Sequence, residues 1–228
     1  MGHEMGHHVL NHAYKGLVMT GVLIVIGFAF LNWALNSSLA RWGEKWEVRG
    51  VTDVAGDCPV WCAQRFGQSL TLLPDGRAIQ IGGEHEDYYD SDFCIYNDVF
   101  VHHADGRIDI FCYPEDVFSP TDFHTATLIG DAIYIIGGLG YQGSRRFGET
   151  PVHRLDTNTL QIHRVDTTGK PPGWISRHRA ALVSPNEIRV WGGKIAREVG
   201  ETESYDDNHG SWVFDVTGRR WLPQQTPG

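Results

Sequence analysis

The sequence predicts a mainly β protein: three four-stranded propeller blades, preceded by a short histidine-bearing helix and one apolar helix. Three observations carry this. Residues 16–40 hold no charged side chain and are mostly apolar. After Asp57 the texture changes to short apolar runs punctuated by glycine and proline turns. Three of those runs end in a Gly-Gly pair, and their first glycines, Gly82, Gly137 and Gly192, stand 55 residues apart both times. With 21% charged residues the chain of 228 is too apolar for global disorder. Its 27 Gly and 8 Trp suit tight turns around aromatic-packed sheets.

The charge balance narrows the partners. Lys and Arg total 19 against 28 Asp and Glu, a net of −9. Up to residue 56, Lys15, Arg41, Lys45 and Arg49 cancel Glu4, Glu44, Glu47 and Asp53, so the acidic excess lies in 57–228. A domain so acidic and without a basic cluster is not expected to hold nucleic acid. Cys58, Cys62, Cys94 and Cys112 are too few for a disulfide framework, and their spacing fits no standard zinc knuckle. They read as buried thiols.

Taken in order, residues 1–15 begin with His3, Glu4 and His7. Histidines four apart share one helix face, and a glutamate beside the first completes the HExxH arrangement of a zinc site. In such a site the two imidazoles bind the metal and the glutamate is general base for its water. His8 and His12 fall on other faces and read as solvated or packing residues. Residues 16–40 include LVMTGVLIVIGFAFLNWAL from Leu17 to Leu35. At about 1.5 Å per residue such a helix spans roughly the 30 Å of a bilayer core, so a single membrane pass is expected. Arg41, Lys45 and Arg49 follow it and Lys15 alone precedes it, a bias that places the blades on the cytoplasmic side. Residues 41–59 read as a juxtamembrane linker.

Residues 60–224 carry the repeats. Gln68, His124 and His178 open the first strand of each (QSLTLL, HTATLI, HRAALV). Turns at Pro74-Asp75-Gly76, Gly130-Asp131 and Ser184-Pro185-Asn186 lead to the strands that end in Gly-Gly. Third strands are expected at 97–102, 151–155 and 211–216, and fourth strands at 107–112, 160–165 and 219–222. Four strands per period of about 50 residues is the pattern of a propeller blade. The Gly-Gly pairs, the strand order and Trp221 behind Gly218-Arg219-Arg220 resemble kelch repeats. That resemblance implies a β-propeller whose role is binding. The three residues that open the first strands read as hydrogen-bonding between neighbouring blades in preference to ringing the channel mouth.

The stretch HEMGHHVLNHAYKG and the apolar helix, with Arg41-Trp42-Gly43 and Trp46-Glu47-Val48-Arg49-Gly50-Val51, resemble the HtpX-like and CAAX prenyl protease family of membrane zinc metalloproteases. The resemblance implies His3 and His7 as zinc ligands and Glu4 as catalytic base. The Glu-x-x-x-Asp letters that would supply a third ligand occur at Glu86–Asp90 and Glu203–Asp207, both read as polar loops after Gly-Gly pairs. The sequence therefore points to a membrane-anchored binding module with a partial metalloprotease-like amino terminus. The alternative is a zinc metalloendopeptidase. Loops after second strands cluster at one mouth of a propeller, which makes Glu84, His85, Glu86 and Asp87, with Arg145 and Arg146, candidate contacts for a protein partner. The end blades of a three-bladed fan lack a neighbouring sheet, and self-association through them is expected.

Overall fold

The computed structural model describes residues 20, 23–26, 46–49, 65–87, 90–200 and 202–224. The chain forms two compact units, 1–46 and 47–228. Of the apolar stretch, Thr20 and the run Leu23–Ile26 are described and helical, with Leu23, Ile24, Val25 and Ile26 exposed. Among the described residues no helix is long and apolar enough to cross a membrane, which overturns the expectation of a single-pass membrane protein. His3, Glu4 and His7 lie outside the described residues, as does the helix expected to carry them.

The second unit is built from strands. The first blade contains β1 (Trp46–Arg49), β2 (Ser69–Leu72), β3 (Ala78–Ile81), a side hairpin of β4 (Glu84–Asp87) and β5 (Asp90–Ile95), then β6 (Val99–His102) and β7 (Ile108–Phe111). Its sheet runs β1-β7-β6-β3-β2. The second holds β8 (Thr125–Ile129), β9 (Ala132–Ile136), β10 (Val152–Asp156) and β11 (Ile162–Arg164), in the order β11-β10-β9-β8. The third begins with β12 (Thr168–Gly169) and β13 (Trp174–Ser176) and continues through β14 (Arg179–Ser184) and β15 (Glu187–Trp191). It then runs through β16 (Lys194–Val199), β17 (Thr202–Asp207), β18 (Ser211–Asp215) and β19 (Arg220–Gln224). Its main sheet is β12-β19-β18-β15-β14, with β13-β16-β17 as a side sheet. The four expected strands of each repeat are thus present as an antiparallel meander. β12 adds to β19 in parallel, so chain leaving the second blade finishes the outer edge of the third.

Two stretches read as polar loops are strands instead. Glu84–Asp87 pairs with Asp90–Ile95, and Thr202–Asp207, which contains Glu203–Asp207, pairs with β16 along its whole length. Both hairpins follow a Gly-Gly pair and run too polar to show a buried face in the sequence.

Packing occurs between sheets. Ile79, Ile81, Val99 and Val101 of the first blade share a core with Ile133, Ile135, Leu155 and Ile162 of the second. The opposite face of the second blade, with Ile136 and Val152, packs on Ile188, Val190, Phe214 and Trp221 of the third. Trp221 is buried, its ring 4.9 Å from that of Phe214. The lead-in to the first blade is fixed by Arg65, whose Nη2 donates to Asp98 at 2.9 Å while its guanidinium lies 3.5 Å over the Tyr96 ring. Both side chains of this ion pair are buried.

Candidate binding cleft

The joints between blades account for the histidines that open the strands. Nε2 of His124 lies 2.8 Å from the Ser69 hydroxyl, and Nε2 of His178 lies 2.9 Å from the Thr125 hydroxyl. Burial holds the His124 imidazole down to about 3 and that of His178 to about 4, so both are neutral at ordinary pH. They are interblade fasteners, as the sequence suggested. Gln68, the first of the series, is exposed and accepts a hydrogen bond from the Gln80 side chain at 2.6 Å.

A cleft of about 420 Å³ opens over the second blade. One wall is the segment after β7, with Glu115, Asp116 and Val117; the other is the β9–β10 loop, with Ser144, Arg145 and Arg146. Trp174, His153 and the Gly137-Gly138 pair close its base. The β9–β10 loop is strapped in place. Arg145 Nε donates to the Leu139 carbonyl at 3.0 Å and Nη2 to the Gly140 carbonyl at 2.9 Å. Its Nη1 bonds the Glu203 carboxylate and the Tyr205 hydroxyl on β17. Trp174 Nε1 donates to the same Leu139 carbonyl at 2.9 Å. Under the loop, the fully buried Asp122 accepts from the Gly140 amide at 2.7 Å. Burial pushes its carboxyl above the usual range, against the pull of the Gly140 amide, the Glu84 side chain and the charges of Arg145 and Arg177.

His153 sits with its ring 5.1 Å from that of Phe118, and burial, aided by the charge of Arg164, lowers it to about 4. A neutral, half-buried imidazole lining a cleft with Val117 exposed at its rim offers shape and apolar contact. Among the described residues no group of three or more His, Cys, Asp or Glu is placed to hold a metal ion.

The sequence-derived candidates divide accordingly. Arg145 and Arg146 both line the cleft, but Arg145 is a buried strap and Arg146 the exposed member. Glu84 and His85 lie on β4, both half-buried and neither among the residues that line the cleft. The side chains of Glu86 and Asp87 are outside the description. Asp122, Val117, His153 and Trp174 were not legible as site residues. They come from three separate segments, and the one available signal was the placement of Asp122 two residues before His124. Cys94 and Cys112 are partly buried thiols, close to the expected fully buried ones.

No family model matches the chain. Curated relatives do. Kelch domain-containing protein 3 of Rattus norvegicus is 29% identical over 190 residues, covering 82% of this chain and 47% of the relative. The protein of the same name from Homo sapiens is 26% identical over 194 residues with the same coverage. Acyl-CoA-binding domain-containing protein 5 of Arabidopsis thaliana is 29% identical over 97 residues, 42% of this chain and 13% of the relative. The chain thus spans about half the length of the kelch domain-containing relatives it matches. Together with the three meanders in one register, these relatives support a kelch-repeat β-propeller. They lend no support to a protease fragment.

Proposed function

We propose that this chain is a kelch-type recognition module that binds a segment of a partner protein in the cleft over its second blade. The observation that carries this reading is the strapped β9–β10 loop. Arg145 gives its hydrogen-bonding capacity to Leu139, Gly140, Glu203 and Tyr205, which fixes one wall of the cleft while Arg146 and Val117 remain open at the rim. A preformed cleft costs less ordering on binding than a loop that must first be arranged. Self-association through the end blades belongs to the same reading. The zinc chemistry expected of His3, Glu4 and His7 takes no part in it.

The test is selection of displayed random peptides on the immobilised full chain, repeated with Val117→Asp and Arg146→Glu. Peptides that bind the parent and lose binding to both variants, while tolerating Arg219→Glu on the distant β18–β19 turn, support the cleft. Peptides indifferent to both cleft substitutions place recognition elsewhere and overturn the proposal.

A further inference from the structure

Both walls of the cleft are pinned, and they carry opposite charge. The wall after β7 is a turn in which the Val117 and Phe118 amides donate to the Pro114 carbonyl at 3.0 Å. Within it the Ser119 hydroxyl donates to the Glu115 carbonyl at 3.1 Å. Asn97 of the first blade holds this turn, its Nδ2 donating to the Tyr113 carbonyl at 2.7 Å and the Phe118 carbonyl at 2.8 Å. The Phe118 ring is buried and packs edge-on against Tyr113 at 6.0 Å. A backbone fixed in this way leaves Glu115, Asp116 and Val117 exposed in a set order, two carboxylates beside one apolar side chain.

Arginines mark the other wall, and they differ in availability. Arg145 is committed to the strap across to Glu203 and Tyr205 of the third blade. Arg164 donates to Glu149 at 2.8 Å. Arg146 is exposed, and among the described residues it enters no ion pair; nor do Glu115 and Asp116. The β9–β10 loop thus offers one uncommitted guanidinium, whose planar donors match a carboxylate. One wall is fastened to the first blade and the other to the third, so a ligand between them meets two anions on one side and a cation on the other.

We infer that the segment received by the cleft is bipolar. A basic side chain faces Glu115 and Asp116, an acidic side chain faces Arg146, and an apolar side chain between them lies on Val117 and Trp174. This rests on the cleft reading of the proposed function and adds the chemistry of the ligand. Charge complementarity is the argument. A segment of one sign is repelled at one wall, whereas a bipolar one is attracted at both, and such patterns select and orient a partner more than they tighten its binding.

A synthetic library of short peptides, acetylated and amidated so that side chains carry all the charge, tests it on the immobilised full chain. The classes differ in what flanks a central leucine: Lys on one side and Glu on the other, Lys alone, Glu alone, or neither. The parent is expected to retain the bipolar class about three- to tenfold over each single-sign class. Arg146→Glu is expected to shift the preference to Lys-only peptides and Glu115→Lys/Asp116→Lys to Glu-only peptides. Combining all these substitutions exchanges the two walls and is expected to restore the bipolar preference. The altered side chains are exposed, so every variant is expected to keep the parent circular dichroism spectrum. Val117→Trp, which fills the rim without changing charge, reports whether bound peptides occupy the cleft. Retention that Val117→Trp removes, but that is blind to charge class or unmoved by the wall variants, overturns the bipolar ligand and leaves the cleft reading standing. Retention that survives Val117→Trp, or none for any class, overturns the cleft reading and this inference with it.

Discussion

β9 and β15 occupy the same place in two blades, second strand of each meander, yet their sequences differ in kind. Ala132–Ile136 is apolar throughout, with Ile133 and Ile135 facing the first blade and Ile136 facing the third. Glu187–Trp191 alternates: Ile188 and Val190 are buried against the second blade while Arg189 is exposed between them. A strand covered on both faces is driven to an unbroken apolar run, and one covered on a single face to period two. The pattern of a strand therefore reports how many sheets it touches, a fact about its neighbours more than about itself.

Paired substitutions sharpen the comparison. Ile135→Ala is expected to cost about 2–5 kcal/mol, the range for emptying a packed aliphatic site. Arg189→Ala on the open side of β15 is expected to stay within about 0.5 kcal/mol. Denaturant midpoints at constant slope measure both, and equal costs would break the two-faces-against-one account.

The glycines give a second contrast. Gly137 and Gly192 both lie in the left-handed region, at φ +68 and +66. The backbone strain of an alanine is then common to the two, about 1–2 kcal/mol. Gly137→Ala adds a collision with the Ile175 carbonyl and is expected to exceed 2 kcal/mol by about a further kcal/mol or more. Gly192→Ala should show the strain alone in the isolated chain. Thermal melts of both variants decide, and equal losses would mean that the joint at Gly137 does not need the close approach.

The fasteners predict a pH dependence. The folded imidazole of His124, held down by burial to about 3, stays neutral where an unfolded one near 6.5 takes up a proton. Stability from this source is therefore complete above about pH 6.5 and declines as the pH falls from there toward the folded value. Each such group contributes a slope of up to about 1.4 kcal/mol per pH unit in that window. The buried carboxyls of Asp98 and Asp122, raised by desolvation, act in the opposite sense at low pH. The clean reading is thus the difference between the parent and His124→Gln. A flatter stability profile between pH 6.5 and 4 in the variant is expected, and identical profiles would remove the imidazole from the account.

The blades were legible because their determinants are local and repeated. Turns such as Pro74-Asp75-Gly76, Gly-Gly pairs at one spacing and apolar runs of strand length each state a backbone requirement within a few residues. The two side hairpins were not legible, since β16 and β17 expose most of their length and so carry no periodic apolar face. The cleft was less legible still. Arg145 could be picked out as a cation, but its conversion into a strap depends on Glu203 and Tyr205, about sixty residues further along. The single-pass reading was overturned on a different ground: among the described residues no helix is long and apolar enough to cross a membrane.

β12 has a bearing on how the array comes apart. Thr168 and Gly169 leave the second blade and pair in parallel with Arg220 and Trp221 at the rim of the third. Repeats that meet only through their faces can melt one at a time, each at its own temperature. Here a short splice of one repeat is woven into the margin of the next, so the third sheet cannot unravel from its outer edge without first releasing a thread that its predecessor holds. The same thread occupies an edge that would otherwise be open to pairing with a stranger's strand. Loss of order in the second and third blades should accordingly be a single event, with the seam between them the last boundary to disappear.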